Sequence, residues 1–396
     1  MTVELRPVPG DPDLLEATVH EVEIGAVRLE VTGGLARMAA QVDPAPGLES
    51  QDIVDLVLAT VTRAKEGGAT DVEFHCESLL LRHAARQVGF GGALRVALRA
   101  RIDDIGRRTP AGTTVRGSDE RERTSWLSAT LNELGVASTP ARPSRSLRRL
   151  ATRLSGGVGD TLDVVVEWAP GRTFTISVPD RPDIMPEGVA LTADTAAAVF
   201  RRFPDQANAA KAIHFDKAEH GLKSGRYAGV AQLSVPSIHL TIGFVTTEFF
   251  IQMMQPRSTG TPRSTGTPRS SSARPSSPYT AVDATVAHEL WHQIESAFEA
   301  RHYALGMELR HQVGLELGVQ TLEHAVKGAS PKATPAWQSA YRRLAAEVSP
   351  YATTNAREAT AELFKLWWCR NGPPAPVVAR FGELVDQMLP PKTPTA

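Results

Sequence analysis

The sequence predicts an α+β protein: a small α/β unit first, then a polar connecting stretch, then a larger domain in which a few strands precede a set of helices. Three observations carry this expectation. Strand and helix patterns alternate between residue 20 and about residue 105. β-rich runs return at Thr161 and give way to helical periodicity after residue 278. Within that periodicity stands His288-Glu289-Leu290-Trp291-His292, an HExxH motif in an apolar run. The expected divisions are 1–105, 106–160 and 161–396.

At 396 residues the chain is long enough for two or three domains, each with its own core. A formal net charge of -1 gives no electrostatic reason to expect nucleic acid or an anionic membrane as a partner. The two cysteines, Cys76 and Cys369, cannot build a disulfide framework, which fits a reducing compartment. The N-terminal stretch is acidic and proline-containing where a secretory signal needs a basic start and an apolar run. The most apolar stretch, Leu233 to Met254, is interrupted by Pro236, His239 and Glu248 and reads as strands and a turn. A cytoplasmic location is therefore expected.

In the first unit, Leu35 to Val42 reads as a strand closed by a Pro- and Gly-containing turn. An amphipathic helix from Ser50 to about Lys65 presents Ile53, Leu56, Val57 and Val61 on one face and ends at Gly67-Gly68. Asp71 to Cys76 reads as a strand, Ser78 begins a second helix that stops at Gly89, and Leu94 to Ile102 alternates as a third strand. This order, with Ala84-Ala85 leading into Gly89-Phe90, resembles the second half of a GNAT acetyltransferase domain. The phosphate-cradling loop of that family would fall at DPAPGLES, residues 43–50, where one glycine and two prolines leave few free backbone amides. A degenerate GNAT-like scaffold is expected, with acyl-CoA-dependent acetyl transfer as the alternative.

The connecting stretch, 106–160, is rich in Arg, Ser, Thr, Gly and Pro, with a helix expected from Ser118 to Leu134. Its basic cluster, Arg142 to Arg153, has no interleaved aromatics and reads as a solvated face. From Thr161, LDVVVEW and TFTISVP flank the turn Ala169-Pro170-Gly171-Arg172 and predict a hairpin. A helix near Thr192 to Phe203 follows, with Thr192 and Asp194 as cap candidates. Ser234 to Phe244 reads as a strand whose Pro236 suits an edge, a place where an extended peptide can add as a further strand. Residues 256–278 repeat PRSTGT and contain no large apolar side chain, so a disordered loop is expected there.

Pro278 to Ala300 should form the motif helix, with Val286, Leu290, Ile294 and Phe298 on its buried side. Residues four apart share a helix face, so His288 and His292 can address one zinc ion, with Glu289 beside them as a base. HExxH alone does not decide, because two histidines on a helix can merely pack or face solvent. Glu295 and Phe298 stand where the metzincin arrangement needs a Gly and a third His, which excludes that class. His302, His311 and His324 lack ligand spacing. A better third ligand lies in SPYATTNAREATAELF, residues 349–364. Pro350 breaks the preceding helix, Asn355 can cap a new one, and Glu358 and Glu362 share its face. Glu358 can then bind zinc, Glu362 can orient a ligand histidine, and Tyr351 can steady an oxyanion.

The segment Tyr351-Ala-Thr-Thr-Asn355-Ala-Arg-Glu358-Ala-Thr-Ala-Glu362-Leu-Phe364 resembles the active-site segment of anthrax lethal factor-type zinc peptidases. The resemblance implies a zincin-like, gluzincin metallopeptidase domain over roughly 161–396. It implies His288, His292 and Glu358 as zinc ligands, Glu289 as general base, Tyr351 as transition-state donor and Glu362 as a support behind the ligands. Its implied partner is a peptide or protein substrate. Trp291 stands where the family usually has a small residue, and the 256–278 loop is outside the family pattern. The alternatives are a catalytically inactive zincin-like binding protein and a zinc centre that hydrolyses a non-peptide amide.

Overall fold

The computed structural model describes residues 3–19, 21–42, 48–76, 78–106, 119–141, 161–217, 229–232, 236–247, 278–370 and 372–391. Residues 43–47 of the expected phosphate loop, the Arg142–Arg153 cluster and residues 256–277 of the repeat lie outside them. The described architecture is α+β, with two six-stranded sheets and helices packed on them.

The first sheet runs in sequence order: β1 (Val3–Val8), β2 (Asp11–Val19), β3 (Val22–Thr32), β4 (Leu35–Val42), β5 (Asp71–His75) and β6 (Leu98–Arg101). Its first four strands form an antiparallel meander. Helix α1 (Ser50–Glu66) carries the chain across to the parallel partner β5, and β6 pairs antiparallel beyond α2 (Leu79–Gln87). The sheet thus begins at Val3, well before the residue 20 expected from periodicity. β2 opens Asp-Pro-Asp and β1 carries Pro7, so neither advertises a strand. The strand expected over Leu94 to Ile102 shortens to four residues. Residues before it turn, and Ile102–Asp104 form a 3-10 turn.

Helix α3 (Glu120–Glu133) starts at Asp119, whose carboxylate accepts from the Glu122 amide at 2.9 Å; the expected Ser118 start is corrected to this cap. β7 (Ser138–Pro140), in the stretch read as connecting, pairs with β8 (Thr161–Ala169) and joins the second sheet. β8 and β9 (Arg172–Pro179) form the expected hairpin. The sheet order is β11-β12-β10-β9-β8-β7, where β10 is Ala212–Lys217, β11 is Gly229–Gln232 and β12 is Ser237–Thr241.

Two expectations change here. Helix α4 (Pro186–Arg202) begins six residues before Thr192, which with Asp194 lies inside the helix and caps nothing. Pro186 presets the first turn, and the Met185 amide donates to the Val245 carbonyl at 2.7 Å. The strand expected at the edge, β12, is internal between β10 and β11, and the antiparallel strand β11 forms the edge. Pro236 stops short of β12, and its carbonyl accepts from the amides of Lys211 and Ala212.

One face of this sheet is apolar: Leu162, Val164, Val166, Phe174, Ile176, Val178, Ile213 and Ile238 are all buried. Alternation along strands puts such residues on one face, and α4 lies over it through Phe200, against Trp168 and Phe174. The motif helix α5 (Pro278–Arg301) packs in turn on α4 and beside β11. Helices α6 (Tyr303–Glu316), α7 (Leu322–Val326), α8 (Pro335–Glu347), α9 (Ala356–Trp368) and α10 (Pro376–Met388) complete the structure around it. Where β9, β10 and β12 meet, the opposite face carries buried polar residues, among them Ser177, His214, Ser237 and His239. His214 stacks on His239, Asp216 bonds His239 Nδ1 at 2.7 Å, and Ser237 Oγ lies 3.2 Å from His239 Nε2. Burial, with the adjacent His239, pushes His214 down to about 4.

The first unit is bonded to the second by charge. Glu187, in the first turn of α4, receives His83 Nδ1 at 2.7 Å and Arg86 Nε at 3.4 Å, both from α2. Arg95 reaches Asp194 on α4 and Asp283 on the motif helix.

Candidate metal centre

The motif helix is held as its sequence predicts: Val286, Leu290, Ile294 and Phe298 are buried. The opposite face carries His288 and His292 side by side, ring centroids 4.9 Å apart. Helix α9 crosses it. Asn355 caps α9, its Oδ1 accepting from the amides of Arg357 and Glu358 at 3.0 Å each, so Glu358 projects from the first turn.

Three donor atoms meet between the helices. His288 Nε2 lies 3.1 Å from Glu358 Oε2, His292 Nε2 lies 3.4 Å from the same oxygen, and the two nitrogens are 3.3 Å apart. A tetrahedral zinc ion with bonds of about 2.0–2.1 Å needs ligand atoms separated by about 3.3–3.4 Å. The three observed edges match that triangle closely, and two imidazoles with one carboxylate are a donor set zinc takes readily. Among the described residues this is the one His/Cys/Asp/Glu group close enough to hold a metal ion.

The surroundings favour positive charge at this point. Burial opposes a charge on His288, yet the carboxylates of Glu358, Glu362 and Glu289 outweigh it and raise its pKa to about 9. Burial likewise opposes charge on Glu358, and the two histidines overcome it, holding Glu358 well below the carboxylate range. Glu362 is brought down to about 2 against burial by His288 and Lys365.

Glu362 stands behind His288, 3.0 Å from Nδ1, at ion-pair distance though out of line for a hydrogen bond. Lys365 Nζ donates to both its oxygens at 2.6 Å, and Ser349 Oγ donates at 2.7 Å. Ser349 also accepts the Ala352 amide at 3.1 Å, so one hydroxyl joins this carboxylate to the turn that carries Tyr351. The Tyr351 ring lies 6.0 Å from the His288 ring, and the residue is 42% exposed. Glu289, next to His288, is buried.

All six residues singled out in the sequence thus fall within the motif helix and the segment crossing it. The histidines set aside lie elsewhere. His302 packs on Phe298, His311 bonds the Gln320 carbonyl, and His324 stacks on Trp337. Sequence reasoning missed Ser349 and Lys365. Lys365 was legible, being three residues from Glu362 on one helix face; Ser349 has no such signal. Trp291 is also explained. It is 1% exposed, stacks on Phe364 of α9 at 4.5 Å, and meets Phe203 and Phe381 edge-on, joining the two helices that carry the ligands. Compared with protein-family models, curated proteins and solved structures, the chain matches none.

Proposed function

We propose that this chain is a zinc-dependent peptidase of the lethal-factor type, with a zincin-like catalytic domain and a GNAT-like first unit that serves as scaffold. The observation that carries the reading is the meeting of His288, His292 and Glu358 at the edge lengths of a zinc triangle, with Glu289 in the same motif. Zinc, when bound there, would acidify a water molecule and polarise the scissile carbonyl. Glu289 takes the proton of the attacking water and delivers it to the leaving amine. Tyr351 donates a hydrogen bond from its phenol O–H to the developing oxyanion. Glu362, charged and anchored by Lys365 and Ser349, fixes the ring of His288 from behind. Strand β11, a sheet edge beside the motif helix, suits an extended peptide added as a further strand.

The scaffold reading of the first unit has its own support. At the start of α1, the Asp52 side chain accepts the Glu49 amide at 2.9 Å, and the Asp52 amide donates to the Glu49 carbonyl at 3.1 Å. Amides that a pyrophosphate would need are thus engaged within the chain, one of them by a carboxylate that would repel it.

Digestion of a peptide library tests the assignment. Cleavage should require zinc, and Glu289→Gln should retain zinc while losing hydrolysis. Full activity in that variant refutes the role of Glu289. Zinc binding without any cleavage by the unaltered protein supports the inactive binding-protein alternative.

A further inference from the structure

The two helices that supply the proposed ligands are also joined through buried charge, away from the metal-facing side. Glu295 and Glu299 follow His292 on the motif helix and are four residues apart, so two carboxylates lie one above the other. Glu295 is only 3% exposed on its side chain. Two such carboxylates repel and are costly to bury without a cation.

Arg310, from the next helix α6, supplies it. Its Nη2 lies 3.2 Å from Glu295 Oε1 and also bonds Glu299 Oε1, while Nη1 faces Glu323 Oε1 at 3.6 Å. The close approach of α6 has a steric basis in Gly306, where a Cβ would stand 2.7 Å from Glu299 Cγ. Both glutamates then reach forward to α9. Thr360 Oγ1 lies 2.9 Å from Glu295 Oε1, and Arg357 Nη2 donates to Glu299 Oε2 at 3.2 Å. Arg357 and Thr360 flank Glu358 in sequence, one residue before it and two after. The third ligand is therefore flanked by residues bonded to two carboxylates that Arg310 bridges, Glu295 with Arg310 beside it and Glu299 with both Arg310 and Arg357.

We propose that Arg310 is a positioning residue for the metal centre: by neutralising Glu295 and Glu299 it sets α9 on the motif helix and holds Glu358 at ligand distance from His288 and His292. This rests on the metal-centre reading of the site. It separates Arg310 from an ordinary packing residue, because its loss should move the coordination geometry as well as the melting temperature.

Cobalt(II) serves as the probe, with affinity measured by chelator competition and geometry by its visible absorption, on protein shown to be folded by circular dichroism. Arg310→Gln should bind Co2+ about 10- to 100-fold more weakly, the range for residues that orient ligands, with a spectrum shifted toward that of Glu358→Ala. Arg310→Lys keeps the charge and loses the planar fork; it should be weakened less and guards against a Gln variant that does not fold. Adding Glu295→Gln to Arg310→Gln removes one uncompensated carboxylate and should recover part of the affinity. Wild-type affinity and spectrum in a folded Arg310→Gln protein overturn the inference, even if its melting temperature falls. So does a wild-type site in Arg310→Lys when Arg310→Gln fails to fold. An unaltered protein that binds no Co2+ overturns the metal centre itself and this inference with it; tight binding indifferent to Arg310 overturns the inference alone.

Discussion

Replacing Trp291 by alanine tests whether the residue inside the HExxH motif is the bolt between the ligand helices. The side chain is among the largest fully buried in the protein and meets Phe364, Phe203 and Phe381. Truncating a buried tryptophan to alanine costs about 3–5 kcal/mol, of which a stacked pair such as Trp291–Phe364 contributes about 0.5–1.5 kcal/mol. Against a total stability of about 5–15 kcal/mol that is a large fraction. Trp291→Phe should cost much less. It keeps a ring against Phe364 and removes an indole N–H that is buried without a hydrogen-bond partner. Urea denaturation of the metal-free proteins measures both differences at constant slope. Because zinc would bind only the folded form, saturating zinc should raise the midpoint of Trp291→Ala less than that of the unaltered protein. A loss below about 2 kcal/mol in Trp291→Ala, under the smallest cost of truncating a large buried side chain to alanine, with an equal zinc response, would refute the bolt.

Two further outcomes follow from the site. In metal-free protein, His288 is raised from 6.5 to about 9, so its contribution to stability is fully present below pH 6.5 and is lost as pH climbs through 9. Glu362, lowered from 4.5 to about 2, contributes above pH 4.5 and loses that contribution as pH falls through 2. Urea midpoints across pH should therefore peak between 4.5 and 6.5 for these groups, and the alkaline decline should disappear in His288→Ala. Glu358→Ala should lose zinc far more readily than His324→Ala, because His324 stacks on Trp337 away from the centre. Equal zinc content in the two, by elemental analysis, would show that Glu358 is not a ligand.

The parts of this molecule that were legible in the sequence are those written in local pattern. The motif helix, the β8–β9 hairpin and the Asn355 cap each follow from spacing within a dozen residues. Strands β1 and β2 were not legible, since Pro7 and Pro12 interrupt their short apolar pattern and their place is set by pairing along the meander. The start of α4 was misread because Thr192 and Asp194 look like caps, while Pro186 and the Val245 carbonyl define the true first turn. The site divides the same way. His288, His292, Glu358 and Glu362 stand at helical spacing, four residues apart within each pair. Arg310, Ser349 and Trp291 act across helices, where only the tertiary structure assigns partners.

The buried carboxylate of Glu187 has a consequence for how the chain comes apart. It is 2% exposed, and the groups bonded to it, the His83 ring and the Arg86 guanidinium, both belong to the first unit. Pulling the two units apart would strip that carboxylate of its partners before water could reach it freely, and would free Asp283 on the motif helix from Arg95. Separation is therefore uphill at the same place where α4 and the motif helix begin. The first unit and the proposed metal domain should melt in one step, and a fragment beginning near residue 161 should be less stable than its length suggests.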